Sequence, residues 1–386
     1  MSQSTLTPTA PKPTSPASQA SQQTEEDFCP IQGFDHVELY VGNAKQSALY
    51  YQHCFGFTVM AYRGLETGSR DVASYVLQQG KIRLVLSTAL QADHPISEHV
   101  LRHGDGVKAI GLAVPDARAA FEAATSRGAE PVREPWEETD DDGTLRLAEI
   151  QAYGETVIRF VERGSYDGAF APRFERRSDA PGEGFGFKYL DHMVGNVELG
   201  KMNQWVDFFA RTMGFSQLVH FDDKAISTEY SALMSKVMQD GTGKVKFPIN
   251  EPAQGRKKSQ IEEYLDFYGG PGVQHLACAT SNIIETVTKL RAAGVEFLDV
   301  PGTYYEQLEQ RVGKIDEPIE DLARLGILVD RDEDGYLLQI FTKPIQDRPT
   351  VFFEVIERHG ARGFGEGNFK ALFESLEREQ ARRGNL

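Results

Sequence analysis

The chain has 386 residues, of which 40% are hydrophobic, and a formal net charge of −16. This length accommodates two domains with a core each, whereas the negative charge, with no run of Lys or Arg to offset it, argues against a nucleic acid partner. The longest apolar runs are a few residues, far short of the roughly 20 that a membrane-spanning helix needs. We therefore expect a globular protein with neither nucleic acid nor membrane as partner.

The first 27 residues are rich in Ser, Thr, Pro and Gln and lack the apolar stretch of a secretory signal. This composition predicts a disordered tail over 1–27. The three cysteines, Cys29, Cys54 and Cys278, are too few and too scattered for a disulfide framework, which favours a reducing compartment and predicts a cytoplasmic protein.

The next elements occur twice along the chain. Residues 33–57 and 189–215 each read as a strand with Asp-His, a turn and an amphipathic helix that ends at Gly-Phe. Residues 106–135 align without a gap on 272–301, and 156–163 resemble 351–358, since both are strand-like and end in Glu-Arg. Each copy therefore predicts two βαβββ units, and the fold class is α+β.

This duplication predicts the domain boundaries. We place an N-terminal domain at 28–175, a linker rich in Pro, Gly and charge at 176–188, and a second domain at 189–360. A helical segment follows over 361–386. The second copy is longer than the first, and its insertions near 222–250 and 303–333 are candidate pocket walls.

Three strand positions of the second copy carry possible metal ligands: His192, His275 and Glu354. The first copy has His36, Ala109 and Arg159 at these positions. Two imidazoles and one carboxylate on neighbouring strands are typical of the facial triad that holds Fe(II) and leaves coordination sites open. The sequence thus predicts one metal site per chain, in the second copy.

Each residue of this triad also has a structural interpretation. His275, inside an apolar run, can be a core histidine, and the Asp-His of His192 also occurs at His36, where it is structural. Glu354 can face solvent on an edge strand, but Phe352 shares its face under strand alternation, and a carboxylate there is costly to bury unless it is paired or bound to metal. The three together favour the metal site. We expect no ligand role for the remaining histidines: His53, His94, His99, His103, His220 and His359.

Five stretches carry a family resemblance: "LDHMVGNV", "NEPAQGRKKSQI", "GGPGVQHLA", "LLQIFTKPIQDRPTVFFEVIER" and "GFGEGNF". Over roughly residues 30–382 the chain resembles the 4-hydroxyphenylpyruvate dioxygenases, a two-domain family of the vicinal oxygen chelate superfamily, and its second copy resembles their catalytic half. This resemblance implies two tandem open barrels, a metal-free first domain, and one Fe(II) per chain held by His192, His275 and Glu354.

The same resemblance implies the residues of the substrate pocket. The polar residues are Ser231, Asn250, Gln260, Gln274 and Gln339, and the remaining pocket residues are Phe341, Phe352, Phe364, Asn368 and Phe369. It also implies that the terminal helix closes over the site. We expect Asn368 to cap that helix, and its apolar face to be Phe369, Leu372, Phe373 and Leu376.

The residues themselves support part of this pocket. Gln339 and Phe341 lie two apart on one strand and point to one face. Gln260, in the basic run "GRKKSQ", otherwise reads as a solvated loop residue. Gln274 is adjacent to His275 and would face away from it unless the strand is irregular, and little local pattern fixes the register around Ser231.

The activity that the resemblance implies is conversion of 4-hydroxyphenylpyruvate and O2 to homogentisate and CO2, by decarboxylation, ring hydroxylation and side-chain migration. A 4-hydroxymandelate synthase is the nearest alternative. An extradiol ring-cleaving dioxygenase, a glyoxalase-like isomerase and a non-enzymatic binding module are more distant ones. The sequence leaves open whether the chain forms a homo-oligomer.

Overall fold

The computed structural model of the protein describes residues 27–182, 184–221, 232–253 and 258–385. The predicted disordered tail therefore lies, except for Asp27, outside the described residues.

The first half contains one sheet and the helices that cover it. Its strands are β1 (Gly33–Tyr40), β2 (Thr58–Arg63), β3 (Val72–Gln79), β4 (Ile82–Ala89), β5 (Gly106–Ala113), β6 (Pro131–Asp140), β7 (Gly143–Gln151), β8 (Val157–Glu162) and β9 (Glu175–Arg176). Its helices are α1 (Ala44–Phe55), α2 (Pro95–His103) and α3 (Ala117–Ser126).

The second half repeats this arrangement with additional helices. Its strands are β10 (Phe187–Asn196), β11 (Ser216–Phe221), β12 (Ala232–Gln239), β13 (Lys246–Ala253), β14 (Gly272–Thr280), β15 (Leu328–Arg331), β16 (Tyr336–Phe341) and β17 (Phe352–His359). Its helices are α4 (Met202–Met213), α5 (Gln260–Tyr268), α6 (Ile283–Ala292), α7 (Leu308–Val312), α8 (Ile319–Leu325) and α9 (Phe369–Arg382).

The eight strands of the second sheet follow the order of β2 to β6 in the first sheet read in reverse, and the first sheet has one additional edge strand, β9. The first runs β6-β7-β8-β5-β1-β4-β3-β2-β9 and the second runs β11-β12-β13-β10-β14-β17-β16-β15. Within each half, two βαβββ units meet where their first strands pair antiparallel, β1 with β5 and β10 with β14. The predicted α+β class and the paired βαβββ units are confirmed, and each half is a curled, half-barrel sheet.

The predicted Gly-Phe helix ends are present in both halves. Gly56 and Gly214 follow α1 and α4 with φ of 74° and 71°, the left-handed conformation that glycine adopts without strain. The N–H of Phe57 bonds to the carbonyl of Tyr51, and the N–H of Phe215 bonds in the same way within the other copy. These caps turn the chain from each helix into the next strand.

The two halves share their largest hydrophobic core. The ring of Phe353 on β17 lies 5.0 Å from that of Phe55 and 5.9 Å from that of Tyr51, both on α1. Phe34 and Phe247 make a second aromatic contact between the halves, at 6.0 Å. Burial of these side chains holds the two sheets together.

The connection between the halves is ordered against the first sheet. The side-chain oxygen of Gln79 accepts hydrogen bonds from the backbone N–H groups of Phe185, Gly186 and Phe187, at 2.7, 3.0 and 3.0 Å. Strand β10 accordingly begins at Phe187, inside the segment predicted as a linker. The division of the chain into domains at 175 and 189 stays a prediction.

The insertion near 303–333 contains α7, α8 and β15, and the predicted terminal helix is present as α9. Among the helices of the described residues, none combines the length and the apolar character required to cross a membrane.

Candidate metal centre

Asp191 is the extra residue of a β-bulge in β10. The pairing of β10 with β14 steps from Leu190 opposite Cys278 to His192 opposite Ala277, which leaves Asp191 without a partner. A bulge re-aims the side chains beside it. The carboxylate oxygen Oδ1 of Asp191 lies 2.8 Å from Nδ1 of His192 and accepts its hydrogen bond.

A second bulge, in β14, re-aims the side chains beside His275. The pairing steps from Val194 opposite His275 to Gly195 opposite Val273, and Gln274 is the unpaired residue. Its side-chain oxygen lies 3.0 Å from Nδ1 of His275. The strand is therefore irregular at Gln274, which is the condition under which this residue shares the face of its neighbour.

Three buried side chains converge between β10, β14 and β17. The Nε2 atom of His192 lies 3.0 Å, and that of His275 3.3 Å, from Oε2 of Glu354. The side chains of His192, His275 and Glu354 are 4%, 9% and 3% exposed. The structure thus brings together the three predicted ligands, with their ligand atoms within 4.8 Å of one another.

The hydrogen bonds of this cluster fit a cation. Because Asp191 and Gln274 accept from the two Nδ1 atoms, the neutral imidazoles of His192 and His275 carry their lone pairs on Nε2, facing a carboxylate oxygen. Lone pairs and a carboxylate at this range repel unless a cation or a proton lies between them. Two imidazole nitrogens, each held by a second residue, and one carboxylate are the donor set of a divalent transition metal.

The same contacts determine the pKa values of the three side chains. Burial would raise the pKa of Glu354, but the facing His192 and, to a lesser degree, His275 lower that pKa to about 2. Burial likewise would lower the pKa of His192, but the Glu354 carboxylate raises it, whereas for His275 burial dominates and the pKa is lowered. The carboxylate is therefore ionised and available as a ligand.

Two further groups of possible ligands occur in the described residues: His99, His103 and Glu155, and Glu317, Glu357 and His359. The prediction that His99, His103 and His359 are not ligands stays a prediction, although the structure places carboxylates beside them. Helix spacing and the approach of distant segments, which the sequence pattern did not reveal, place carboxylates beside them. Neither group borders the cavity described next.

A cavity of about 570 Å³ opens in front of the His192–His275–Glu354 cluster. Seven predicted pocket residues line it: Asn250, Gln260, Gln274, Phe341, Phe352, Phe364 and Phe369. The ring of Phe352 stacks on the imidazole of His275 at 4.8 Å and 21°, and Phe364 lies edge-on to His192 at 5.0 Å. The aromatic side chains thus pack against the ligands as well as forming walls.

Of the other three predicted pocket residues, two do not line the cavity and one lies outside the described residues. Gln339 is buried against Gly365, and its two amide atoms have no partner among the described residues. Asn368 precedes α9, but its side chain makes no capping bond and instead accepts from the hydroxyl of Tyr304 at 2.6 Å, so the predicted cap is wrong. Ser231 lies outside the described residues.

Ser235 lines the cavity and was missed from the sequence. It lies on β12 directly opposite Asn250 on β13, and Leu233 and Val237, two residues to either side, line the same cavity. Alternation in "ALMSKVMQ" could have revealed this face. The pairing with Asn250 could not be read without the register.

Helix α9 closes one side of the cavity. Phe369, Leu372 and Leu376 line it from this helix, as the predicted apolar face requires. The hydroxyl of Ser375 bonds to the carbonyl of Asp299 at 2.6 Å and anchors the helix to the second half. The side chain of Phe373 is outside the described residues.

The first half holds an arginine where the second half holds its carboxylate. Arg159 lies opposite Gly111 in the pairing of β5 with β8, the register position that Glu354 has in the second half. Its guanidinium lies 2.7 Å from both Glu38 and Glu149, and its Nη1 is 3.3 Å from Nε2 of His36. A permanent cation therefore occupies the position that the carboxylate has in the second half, and the absence of a metal from the first half stays a prediction.

Two tandem half-barrels of this topology define a protein of the Glyoxalase/Bleomycin resistance protein/Dioxygenase superfamily, whose sequence model matches residues 33–151 and 189–340. The chain is 48% identical to the 4-hydroxyphenylpyruvate dioxygenase of Yarrowia lipolytica, over 92% of this chain and 93% of that protein. It is 47% identical to the corresponding dioxygenases of Aspergillus fumigatus, over 98% and 100%, and Danio rerio, over 92% and 92%. The chain belongs to the 4-hydroxyphenylpyruvate dioxygenase family, and it is an enzyme, a dioxygenase.

Among solved structures, the chain is similar to a triple mutant of 4-hydroxymandelate synthase from Streptomyces coelicolor, with a TM-score of 0.82 and 32% identity over 91% of this chain and 99% of that one. This identity is lower than that to the 4-hydroxyphenylpyruvate dioxygenases. The family resemblance seen in the sequence is confirmed.

Proposed function

We propose that the chain binds one Fe(II) through His192, His275 and Glu354 and converts 4-hydroxyphenylpyruvate and O2 to homogentisate and CO2. The observation that carries this proposal is the convergence of the three ligand atoms at the base of an aromatic-walled cavity.

The charge of the cavity supports a 2-oxo acid bound to a metal. No Lys or Arg side chain lines the cavity in the described part of the chain. The carboxylate of the substrate would therefore find no side-chain cation, and burying it unpaired would be costly. A divalent ion held by the two imidazoles and Glu354 supplies this charge, with positions left open for the keto and carboxylate oxygens.

The remaining polar side chains suit the uncharged end of the substrate. Asn250, Gln260 and Ser235 offer donors and acceptors without charge. Because the oxygen of Gln274 holds His275, only its amide N–H groups remain for substrate. The buried amide of Gln339, which has no partner among the described residues, is a further candidate donor and acceptor next to Gly365.

When bound, Fe(II) supplies the activation of dioxygen and the oxidation of the 2-oxo acid. The protein orients the ring between Phe341, Phe352 and Phe364 and excludes water with α9. Exclusion of water protects reactive intermediates from side reactions. Holding the ring in one orientation beside the metal ligands would place it for reaction.

Oxygen uptake with 4-hydroxyphenylpyruvate and Fe(II), followed by chromatography of the product, tests this function. Homogentisate supports the proposal. Hydroxymandelate as the product would instead identify a 4-hydroxymandelate synthase. Absence of uptake with this substrate, but activity on a catechol or a glutathione thioester, would identify one of the more distant alternatives.

We also propose a cytoplasmic location. Cys29, Cys54 and Cys278 are free in the structure, as expected in a reducing compartment.

A further inference from the structure

One arginine joins the metal-ligand side of the cavity to the segment that carries α9. Two nitrogens of Arg358, Nε and Nη2, donate to the two carboxylate oxygens of Asp191 at 2.8 Å each. Asp191 in turn accepts from Nδ1 of His192. Arg358 thus fixes the carboxylate that orients a metal-binding imidazole.

The third nitrogen of the same guanidinium holds the connection to the terminal helix. Nη1 of Arg358 donates to the carbonyl of Gly363 at 2.6 Å and to that of Ala361 at 3.2 Å. The guanidinium also lies 5.4 Å from the ring of Phe364, which packs edge-on against His192. We call residues 361–368, between β17 and α9, the lid connection.

The first half contains the same arrangement at His36, where Arg159 stands in the position of the Glu354 carboxylate. Arg163 donates to both oxygens of Asp35, at 2.6 and 2.7 Å, and Asp35 lies 2.7 Å from Nδ1 of His36. Nη1 of Arg163 donates to the carbonyl of Phe170 at 2.6 Å, and the Phe170 ring lies edge-on to His36 at 5.2 Å. We call this arrangement, in which an arginine binds both the Asp of the Asp-His pair and a nearby carbonyl, the arginine clamp. It is a feature of the repeat, and in the second half it has a metal ligand at one end and the lid connection at the other.

We propose that Arg358 is a positioning residue that couples metal binding at His192 to the ordering of the lid connection. The inference rests on the proposed function of the cluster as the metal site. A planar guanidinium can hold a carboxylate and two carbonyls at once, whereas the single ammonium of lysine cannot reproduce this fork. Because coupling between two sites is reciprocal, metal binding should order the lid connection and an ordered connection should favour metal binding.

Hydrogen exchange followed by mass spectrometry, with Co²⁺ alone as the probe, tests this coupling without turnover. In the wild-type protein we expect Co²⁺ to slow exchange over 361–368 by roughly fivefold or more, the usual lower range of allosteric coupling. In Arg358→Lys this slowing should be lost and Co²⁺ affinity should fall roughly 10-fold. Arg163→Lys is the matched control: it breaks the equivalent clamp, lowers stability similarly and leaves both Co²⁺ effects intact.

A second variant separates coupling from folding. Asp191→Asn leaves the bonds from Arg358 to the lid connection available but weakens the link to His192. We expect the metal-free lid connection to exchange as in the wild type, and the effect of Co²⁺ on it to be lost. If Co²⁺ protects 361–368 equally in the wild-type and Arg358→Lys proteins, or if Arg163→Lys loses the protection as well, the inference is wrong. Failure of homogentisate formation would leave this measurement unaffected.

Discussion

Replacing Gln274 by leucine removes the acceptor that holds the imidazole of His275. The two side chains are buried, with 3.0 Å between Oε1 and Nδ1, so the Nδ1–H would be left without a partner. A buried unpartnered donor costs about 1–3 kcal/mol. Loss of a residue that holds a metal-ligating histidine typically weakens metal binding about 10- to 100-fold, equivalent to about 1.4–2.7 kcal/mol. The two free-energy ranges agree, and we expect Gln274→Leu to weaken Co²⁺ binding about 10- to 100-fold.

Competition with a chelator of known Co²⁺ affinity, in the absence of substrate, measures the change. Gln274→Glu offers a carboxylate, as Asp191 does for His192, and should bind Co²⁺ at least as tightly as the wild type. Lys108→Leu changes the equivalent bulge residue of β5 in the first half and should have no effect on Co²⁺ binding. Binding by Gln274→Leu within about twofold of the wild type would refute the role of the bulge.

Two predictions concern stability. Phe353→Ala should lower the free energy of unfolding by about 3–5 kcal/mol, since the ring of Phe353 is fully buried between the halves. Phe267 is 40% exposed, so Phe267→Ala should change this free energy by less than about 0.5 kcal/mol. Denaturant titrations measure both changes. Burial would raise the pKa of Asp35, but its hydrogen bonds with His36 and Arg163 lower that pKa. The ionised Asp35 therefore contributes fully to stability above pH 3.8, the ordinary pKa of an aspartate, and this contribution is lost as the pH falls below 3.8. Asp35→Asn should be less stable than the wild type at neutral pH, with a difference that shrinks on acidification below pH 3.8; a pH-independent difference in unfolding midpoints would contradict this.

The duplication made the topology and the ligand positions predictable. Aligning the two copies placed Arg159 opposite Glu354, and the structure gives both residues the same register position beside their neighbouring strands. A strand presents alternate residues to one face. An alignment of the two copies that matches the residues correctly therefore also matches the sheet faces to which their side chains point. The Asp-His and Glu-Arg pairs that marked the repeat prove to be the two ends of the arginine clamp.

What could not be predicted depends on single-residue irregularities and on contacts distant in sequence. The bulge in β14 places the side chain of Gln274 on the same face as that of His275, whereas strict alternation predicts opposite faces. Asn368 has a good capping side chain, but the hydroxyl of Tyr304, 64 residues away, binds it instead. The position of Ser235 opposite Asn250 is identified only by the register of β12 against β13.

The central claim is that His192, His275 and Glu354 bind one metal ion per chain. Iron content after anaerobic reconstitution with Fe(II) and removal of excess ion tests it most directly. We expect about one iron per wild-type chain and per His36→Ala chain, which lacks only the equivalent histidine of the first half, and less than about a tenth of that in His275→Ala. Equal iron content in the wild-type and His275→Ala proteins, or loss of iron in His36→Ala, would contradict the account.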